Sequence, residues 1–226
     1  MAAPTLEFER SLAGPGVRFL ACLDEVGRGA LAGPVSVGLT VLDLASLEEL
    51  PQVRDSKLLS PARREALAPV VKGWAPFSGV GHASAGEIDS LGIIEALALA
   101  AQRAWESVLD DGGTADAVLL DGKHNWLRRP EASLFDALRG GALTEARPEI
   151  RDLPVTMRIK ADMDCQGVAA ASILAKVERD AIMAELATAE PVFGWDVNKG
   201  YGTAAHKDAI RQLGPSVQHR RTWKLL

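Results

Sequence analysis

The stretch FLACLDEVGRG, residues 19–29, ends an apolar run on two adjacent acids, Asp24 and Glu25, and then on an arginine between two glycines. The apolar run predicts a buried β-strand over residues 18–24. Because successive side chains of a strand point to opposite faces, the two acids share one site only if the chain leaves the strand there or the longer glutamate reaches round. Gly27 favours such an early departure.

Two further predicted strands lead into carboxylates. Residues 117–120 form a short apolar run before Asp121, and residues 154–160 alternate between apolar and polar before Asp162 and Asp164. A single acid in such a place is usually a turn or cap residue. Acids after three strands favour a shared site, because α/β folds build their sites at strand ends.

Carboxylates that converge repel one another unless a positive charge lies among them. No Lys or Arg is adjacent to Asp24 or Asp121 in the sequence, and no Cys/His spacing suits zinc. A hard divalent cation with oxygen ligands is the remaining candidate, and Mg²⁺ completes its shell with water and substrate phosphate. Two such ions about 4 Å apart are a recurrent device for phosphodiester hydrolysis.

The composition suits one domain with a substantial core. The chain has 226 residues, 47% of them apolar, and a formal net charge of −5, which argues against a protein that coats nucleic acid broadly. Residues 199–226 nevertheless carry six Lys/Arg against one acid, which predicts a local cationic face. We expect a cytoplasmic protein without a membrane span, because neither a long apolar segment nor a signal peptide is present. Cys22 and Cys165 are expected to be buried thiols.

The remaining pattern predicts an α/β fold, in which a mixed sheet is followed by a helical C-terminal piece. Further strands are predicted at residues 35–42 and 77–83. Helices are predicted from Pro61, from the capping box at Ser84 to about residue 109, over residues 167–188, and from Thr203 to about residue 213, with a short last helix after Gly214-Pro215. Residues 194–202 are predicted as a loop, and residues 127–153 as a surface excursion without an assigned role.

The residues 24–29, DEVGRG, resemble the signature of ribonuclease HII, the bacterial type 2 ribonuclease H. Six further blocks resemble that family in the same order: Asp55-Ser56-Lys57, Leu120-Asp121-Gly122, Lys160-Ala161-Asp162, the helix containing residues 169–180, residues 199–203, and His219-Arg220-Arg221. The resemblance implies a ribonuclease H-like fold whose central mixed β-sheet is flanked by helices. It implies a catalytic domain over residues 1–190 and a small C-terminal helical subdomain over residues 191–226.

The same resemblance implies an activity. The enzyme would cut the RNA strand of RNA–DNA hybrids and cut 5′ of single ribonucleotides embedded in duplex DNA, leaving 5′-phosphate and 3′-hydroxyl ends with Mg²⁺ or Mn²⁺. By position, the catalytic metal-binding acids are Asp24, Glu25, Asp121 and Asp162. Asp164 is an extra acid nearby and an alternative for the fourth place.

Substrate recognition is assigned mainly to the backbone of the loop Gly27-Arg28-Gly29 and to the aromatic ring of Tyr201. Glycines let the backbone approach a ribose, whose 2′-hydroxyl distinguishes RNA from DNA. The resemblance implies that Gly27-Arg28-Gly29 and Tyr201 read the junction between a ribonucleotide and the following deoxyribonucleotide; a tyrosine that anchors its loop is the alternative. The other candidate substrate contacts are Ser56, Lys57, Lys160, Ser172, Lys176, Arg179, Arg220 and Arg221.

Three alternatives remain open. The stripe of Ser172, Lys176 and Arg179 on its helix could be a solvated face or a phosphate contact. His206 and His219 are expected to be structural or to contact phosphate. The function could also be that of a nuclease acting on long hybrids only, of a hybrid-binding module without catalysis, or of a small-molecule phosphatase. We expect a monomer.

Overall fold

The computed structural model describes residues 3–128 and 148–226, so most of the predicted excursion at 127–153 lies outside the described residues. One mixed sheet has the strand order β3-β2-β1-β4-β5. Its strands are β1 (Phe19–Val26), β2 (Val35–Asp43), β3 (Phe77–Ala83), β4 (Ala117–Asp121) and β5 (Val155–Arg158). The pairs β1–β2 and β2–β3 are antiparallel, whereas β1–β4 and β4–β5 are parallel. The predicted α/β class is therefore confirmed.

Helices cover the sheet and extend beyond it. They are α1 (Glu7–Ser11), α2 (Pro61–Trp74), α3 (Ala85–Leu91), α4 (Ile93–Asp110), α5 (Ala161–Asp164), α6 (Gln166–Ala189), α7 (Trp195–Asn198) and α8 (Ala204–Leu213). The predicted caps are present, since the hydroxyls of Ser60, Ser84 and Thr203 each accept a backbone N–H of the following helix. Among the described residues, no helix is long and apolar enough to cross a membrane.

The long helices α6 and α4 each pack against the sheet. Helix α6 packs on β1 and β2, while α4 packs on β2 and β3 with a core of alanine, valine and leucine side chains. Cys22 and Cys165 are free, buried thiols, as predicted. The N-terminal segment is held against α5, because Thr5 N–H donates to Asp164 O at 3.0 Å.

Four sequence-based boundaries are corrected. The helix expected from Ser84 to about 109 divides at Gly92, whose φ of 78° ends α3 and starts α4. The strand expected at 154–160 ends at Arg158, and the apolar residues Met157 and Ile159 are both exposed. The predicted loop at 194–202 contains the short helix α7, and residues 214–226 form no last helix.

The C-terminal elements pack on the second half of α6. A small hydrophobic cluster joins them to the loop after β1, and its buried members are Leu31, Ala32, Met183, Ala187, Phe193, Trp195 and Ile210. This cluster brings residues 199–201 next to the end of β1, since Leu31 N–H donates to Gly200 O at 2.8 Å. The division at residue 190 stays a prediction.

Candidate active site

Asp24 and Glu25 lie inside β1, which continues to Val26, so the early departure from the strand is corrected. Their side chains start on opposite faces of the sheet, and Asp24 is buried. Asp24 Oδ1 accepts the N–H of Glu25 at 2.8 Å, and Glu25 Oε1 accepts Arg28 Nη1 at 3.3 Å. Both acids nevertheless line one cavity because it lies across the end of the strand.

Asp121 and Asp162 come from the next parallel strand and the short helix α5. Asp121 is the last residue of β4, and its Oδ1 accepts the N–H of Ala161 at 2.6 Å, which ties β4 to the start of α5. Asp162 is buried, and its Oδ2 accepts Lys57 Nζ at 3.1 Å. The parallel pairing of β1 and β4 places the last residues of both strands at the same end of the sheet, and the bond from Ala161 to Asp121 holds α5 there.

The electrostatics indicate that the four acids form one group. Burial, followed by Glu25, Asp121 and Asp162, raises the pKa of Asp24 well above its usual range. Burial also raises the pKa of Glu25, although Arg28 opposes this, and burial together with Asp162 raises the pKa of Asp121. The acids therefore destabilise one another as anions, which is the condition that a cation would relieve.

Lys57 supplies a positive charge that sequence adjacency did not reveal. It lies in the 3-10 turn Ser56–Leu58, which Asp55 caps by accepting the N–H of Lys57. Burial lowers the pKa of Lys57, but the bond and the charge of Asp162 outweigh that effect and raise it overall. Lys57 therefore lines the cavity and at the same time bonds to Asp162.

The donor set fits a hard divalent cation. Across residues 3–128 and 148–226, no three His, Cys, Asp or Glu side chains converge closely enough to hold a metal ion by themselves. The buried Glu25 Oε2 has no hydrogen-bond partner in the described part of the chain. Mg²⁺ binds through only one or two carboxylates and takes its other ligands from water and phosphate, so an incomplete carboxylate set of this kind suits it.

A cavity of about 380 Å³ collects most of the sequence-predicted residues. Its lining consists of Asp24, Glu25, Val26, Gly27, Arg28, Gly29, Ser56, Lys57, Ser172, Lys176 and Tyr201. Asp121 and Asp162 are not among the lining residues; Asp162 is linked to the cavity by its bond from Lys57, and Asp121 is bonded to the neighbouring Ala161. The glycine-flanked arginine, the two acids of β1 and the only tyrosine of the chain therefore meet at one place.

The stripe on α6 is not a solvated face. Ser172 is buried and its hydroxyl bonds to Ser56 at 2.8 Å. Lys176 is half-buried and its Nζ donates to Asp180 Oδ1 at 2.5 Å. Arg179 is fully buried. Ser172 and Lys176 thus face the cavity, while Arg179 lies beneath it.

The structure corrects the phosphate-contact predictions for Arg179 and Arg220, since both are fully buried. Arg179 donates to the carbonyls of Ala32, Pro34 and Lys199, and Arg220 donates to those of Gly27, Arg28 and Gly33. Arg221 is exposed and outside the cavity lining, where its backbone N–H donates to Asp89 at 2.8 Å.

Two more residues of the fourth-acid segment lie away from the cavity. Lys160 is exposed and adopts a left-handed conformation with φ of 60° before α5. Asp164 is half-exposed and pairs with Arg158 Nη2 at 3.0 Å. The geometry therefore favours Asp162 over Asp164 as the fourth acid.

His206 and His219 form a buried network, which confirms the structural alternative for them. Ser216 N–H donates to His219 Nδ1 at 2.9 Å, so the proton of His219 is on Nε2 and is donated to His206 Nε2 at 3.1 Å. Trp195 Nε1 also donates to His206 Nε2, at 3.1 Å. His206 Nδ1 then donates to Tyr201 O at 2.9 Å, which fixes the backbone of that residue.

This network predicts a pH-dependent stability. Burial, and then His206, lowers the pKa of His219 to about 4 from 6.5. The unfolded chain binds the proton more tightly, so stability is complete above pH about 6.5 and falls as the pH decreases toward 4, by about 2 kcal/mol at pH 5. Urea unfolding of the wild type and of His219→Gln at pH 7.5 and 5 measures this difference.

The exposed His124→Gln is the matched control and is expected to follow the wild type. Equal pH dependence for the wild type and His219→Gln would contradict the assignment.

Arg64 is a positioning residue that the sequence analysis missed. Its Nη1 donates to Ser56 O at 2.9 Å and to Leu59 O at 2.6 Å, and its Nη2 contacts Asp180 at 3.4 Å. It therefore holds the turn that carries Lys57. An arginine in the first turn of an amphipathic helix resembles any solvated residue, so no sequence signal distinguishes it.

Comparisons with known proteins agree with this arrangement. A family described as ribonuclease HII matches residues 21–226. Over 224 residues the chain is 42% identical to a ribonuclease HII of Streptomyces avermitilis, covering 99% of this chain and 84% of that protein. It is 40% identical to a ribonuclease HII of Paracoccus denitrificans, covering 97% of this chain and 91% of that one.

A solved structure gives the same fold. The ribonuclease H2 from Pyrococcus horikoshii OT3 matches with a TM-score of 0.65 and 27% identity, covering 92% of this chain and 94% of that one. The five-stranded mixed sheet with its flanking helices is therefore a ribonuclease H-like fold. The chain belongs to the ribonuclease HII family, and it is a divalent-metal-dependent endoribonuclease that acts on the RNA strand of RNA–DNA hybrids.

Proposed function

We propose that this endonuclease also cuts duplex DNA on the 5′ side of a single embedded ribonucleotide, leaving 5′-phosphate and 3′-hydroxyl ends. The observation that carries the proposal is that Gly27, Arg28, Gly29 and Tyr201 line the same cavity as the acids of β1. A ribose recognised by this loop lies beside the phosphodiester that is hydrolysed.

Asp24, Glu25, Asp121 and Asp162 are the proposed ligands of Mg²⁺ or Mn²⁺. When bound, divalent ions supply activation of the attacking water and stabilisation of the leaving oxygen. The orphaned Glu25 Oε2 and the raised pKa of Asp24 support this assignment. The proposal includes either ion, Mg²⁺ or Mn²⁺.

The cations around the cavity hold the substrate backbone. The side chain of Lys57 is largely exposed and that of Lys176 is mostly buried, and both residues line the cavity. Such groups position a duplex through its phosphates without reading its sequence. Ser56 and Ser172 bond to each other at 2.8 Å and fix the spacing between the Lys57 turn and α6.

Tyr201 is the proposed reader of the deoxyribose that follows the ribonucleotide. The residue is 40% exposed, and its carbonyl accepts a hydrogen bond from His206 at 2.9 Å, so the ring is presented on an anchored backbone. An aromatic face packs well on a sugar that lacks a 2′-hydroxyl. The alternative of a purely structural tyrosine predicts no preference for a junction.

Substitution of Tyr201 distinguishes these two roles. Tyr201→Ala is expected to lower kcat/KM for a single embedded ribonucleotide by about 10- to 100-fold, the effect of losing about 1.4–2.7 kcal/mol of transition-state contact. Cleavage of a continuous hybrid is expected to change less than threefold. Tyr201→Phe retains stacking and isolates the hydroxyl. Equal losses on both substrates for Tyr201→Ala would contradict the junction role.

The direct experiment compares three labelled duplexes with Mg²⁺ or Mn²⁺. They contain one ribonucleotide, a continuous RNA strand without a ribo-to-deoxy junction, or DNA only. The proposal predicts cleavage of the first two and not of the third. Cleavage of the continuous hybrid alone would identify a hybrid-only nuclease, and binding without turnover would identify a binding module. We further propose that the protein acts as a monomer in the cytoplasm.

A further inference from the structure

Arg220 is a buried guanidinium whose side-chain hydrogen bonds all go to backbone carbonyls of the loop after β1. Its Nη2 donates to Gly27 O at 2.7 Å, its Nη1 to Arg28 O at 2.8 Å, and its Nε to Gly33 O at 3.3 Å. The side chain also lies over the Trp223 ring at 4.8 Å. The forked guanidinium therefore holds two consecutive peptide carbonyls of the glycine-flanked arginine.

This arrangement determines where the neighbouring N–H groups point. The described chain contains no cis peptide bond, and in a trans peptide the N–H points opposite to the C=O. Because the carbonyls of Gly27 and Arg28 point to Arg220, the N–H groups of Arg28 and Gly29 point away from it. Both residues line the cavity, and neither N–H donates to another atom of residues 3–128 or 148–226.

Arg179 joins the same loop to the tyrosine segment. It donates to Ala32 O at 3.3 Å, to Pro34 O at 2.8 Å and to Lys199 O at 3.0 Å. Its guanidinium also lies 5.7 Å from the centre of the Tyr201 ring. Arg179 thus sets the distance between the two cavity walls that carry the recognition groups.

Neither arginine forms an ion pair with a carboxylate in the described part of the chain. Burial lowers the pKa of both groups, and for Arg220 the neighbouring Arg179 lowers it further. A buried charge without a counter-ion is costly and is retained only with full hydrogen bonding. A guanidinium on a carbonyl polarises that peptide and strengthens its N–H as a donor.

We propose that Arg179 and Arg220 are positioning residues for ribose recognition, which hold the Arg28 and Gly29 N–H groups toward the cavity and in register with Tyr201. The proposal rests on the proposed recognition of the ribose by this loop. It assigns to two arginines of the substrate-contact set a role without any contact to the substrate.

The test compares Arg220→Lys and Arg179→Lys with the wild type. Lysine keeps the charge but cannot hold two carbonyls as a fork. Each variant is expected to lower kcat for the single-ribonucleotide duplex by about 10- to 100-fold, the range for loss of a supporting residue. KM, and duplex binding measured with Ca²⁺, are expected to stay within about twofold because phosphate contacts dominate affinity.

Arg18→Met is the matched control, because Arg18 is an exposed arginine beyond the other end of β1, paired with Asp43. It is expected to match the wild type. A tenfold loss of duplex binding in Arg220→Lys would overturn the proposal in favour of a direct phosphate contact, and unchanged kcat in a folded variant would also overturn it.

A measurement on the wild type keeps the proposal falsifiable if the lysine variants do not fold. The amide resonances of Arg28 and Gly29 should shift on binding a single-ribonucleotide duplex and not on binding the matching DNA duplex. The Arg220 Nε–H should exchange slowly with water. Rapid exchange of that proton, or identical amide shifts with both duplexes, would overturn the proposal. If the wild type cuts hybrids but not embedded ribonucleotides, the proposed function fails while kcat on hybrids still tests the arginines.

Discussion

Asp121→Asn is expected to reduce cleavage by about 10³-fold, equivalent to about 4 kcal/mol, because a neutral amide replaces a charged ligand at the site of transition-state charge. The fold should survive, since an amide oxygen can still accept the Ala161 N–H that Asp121 Oδ1 accepts at 2.6 Å. Binding of a hybrid should change little, because phosphate contacts supply most of the affinity. Single-turnover cleavage and a binding titration measure the two effects separately.

Substitutions of Asp162 and Asp164 test which of these two residues is the fourth acid. Asp162→Asn should behave like Asp121→Asn, because Asp162 is buried and bonded to Lys57. Asp164→Asn should keep activity, because Asp164 pairs with Arg158 outside the cavity lining. Loss of activity in Asp164→Asn with retention in Asp162→Asn would reverse the assignment of the fourth acid. An active Asp121→Asn enzyme would contradict the metal role of Asp121.

Gly27→Ala is expected to destabilise the protein by about 3–5 kcal/mol. Gly27 has φ of 84°, where a side chain costs about 1–2 kcal/mol. The added Cβ would lie 2.0 Å from Arg179 Nε, and displacing this buried guanidinium breaks charged hydrogen bonds of about 1.5–3 kcal/mol each. Urea unfolding with the linear extrapolation measures the loss.

Substitutions of two other glycines separate the backbone cost of Gly27→Ala from its packing cost. Gly16 has φ of 85° and open space at its Cβ, so Gly16→Ala should cost only the backbone part, about 1–2 kcal/mol. Gly29 has open space without a positive φ, so Gly29→Ala should leave stability unchanged and lower cleavage, because its methyl group occupies space beside the substrate. Equal destabilisation by Gly27→Ala and Gly16→Ala would contradict the packing of Arg179 against Gly27.

The glycine-flanked arginine shows how far the sequence could predict the site. The sequence analysis assigned both glycines to close approach of the ribose. The structure gives them different roles, since Gly27 is buried against Arg179 while Gly29 is exposed at the cavity. A local motif identifies a conformation that needs glycine, but it does not say which neighbour from another part of the chain occupies the empty space.

Long-range contacts explain the other differences. The strand pattern predicted β4 well, because its short buried run ends on Asp121, whereas β1 continues past both of its acids to Val26. The roles of Arg179 and Arg220 were not predictable, because a basic residue in an electropositive region reads as a phosphate contact until its burial is known. Lys57 lies 105 residues from Asp162 in the chain, so only the fold reveals their pairing.

The central claim is that the cavity reads one ribose beside the bond that it cuts. It is tested most directly by single-turnover cleavage of two duplexes that differ in one 2′-oxygen atom, with Mg²⁺ and with Mn²⁺. The account predicts a cut only in the ribonucleotide duplex, on its 5′ side, with a 3′-hydroxyl end that a DNA polymerase extends. Equal cutting of both duplexes, or a 2′,3′-cyclic phosphate product, would contradict it.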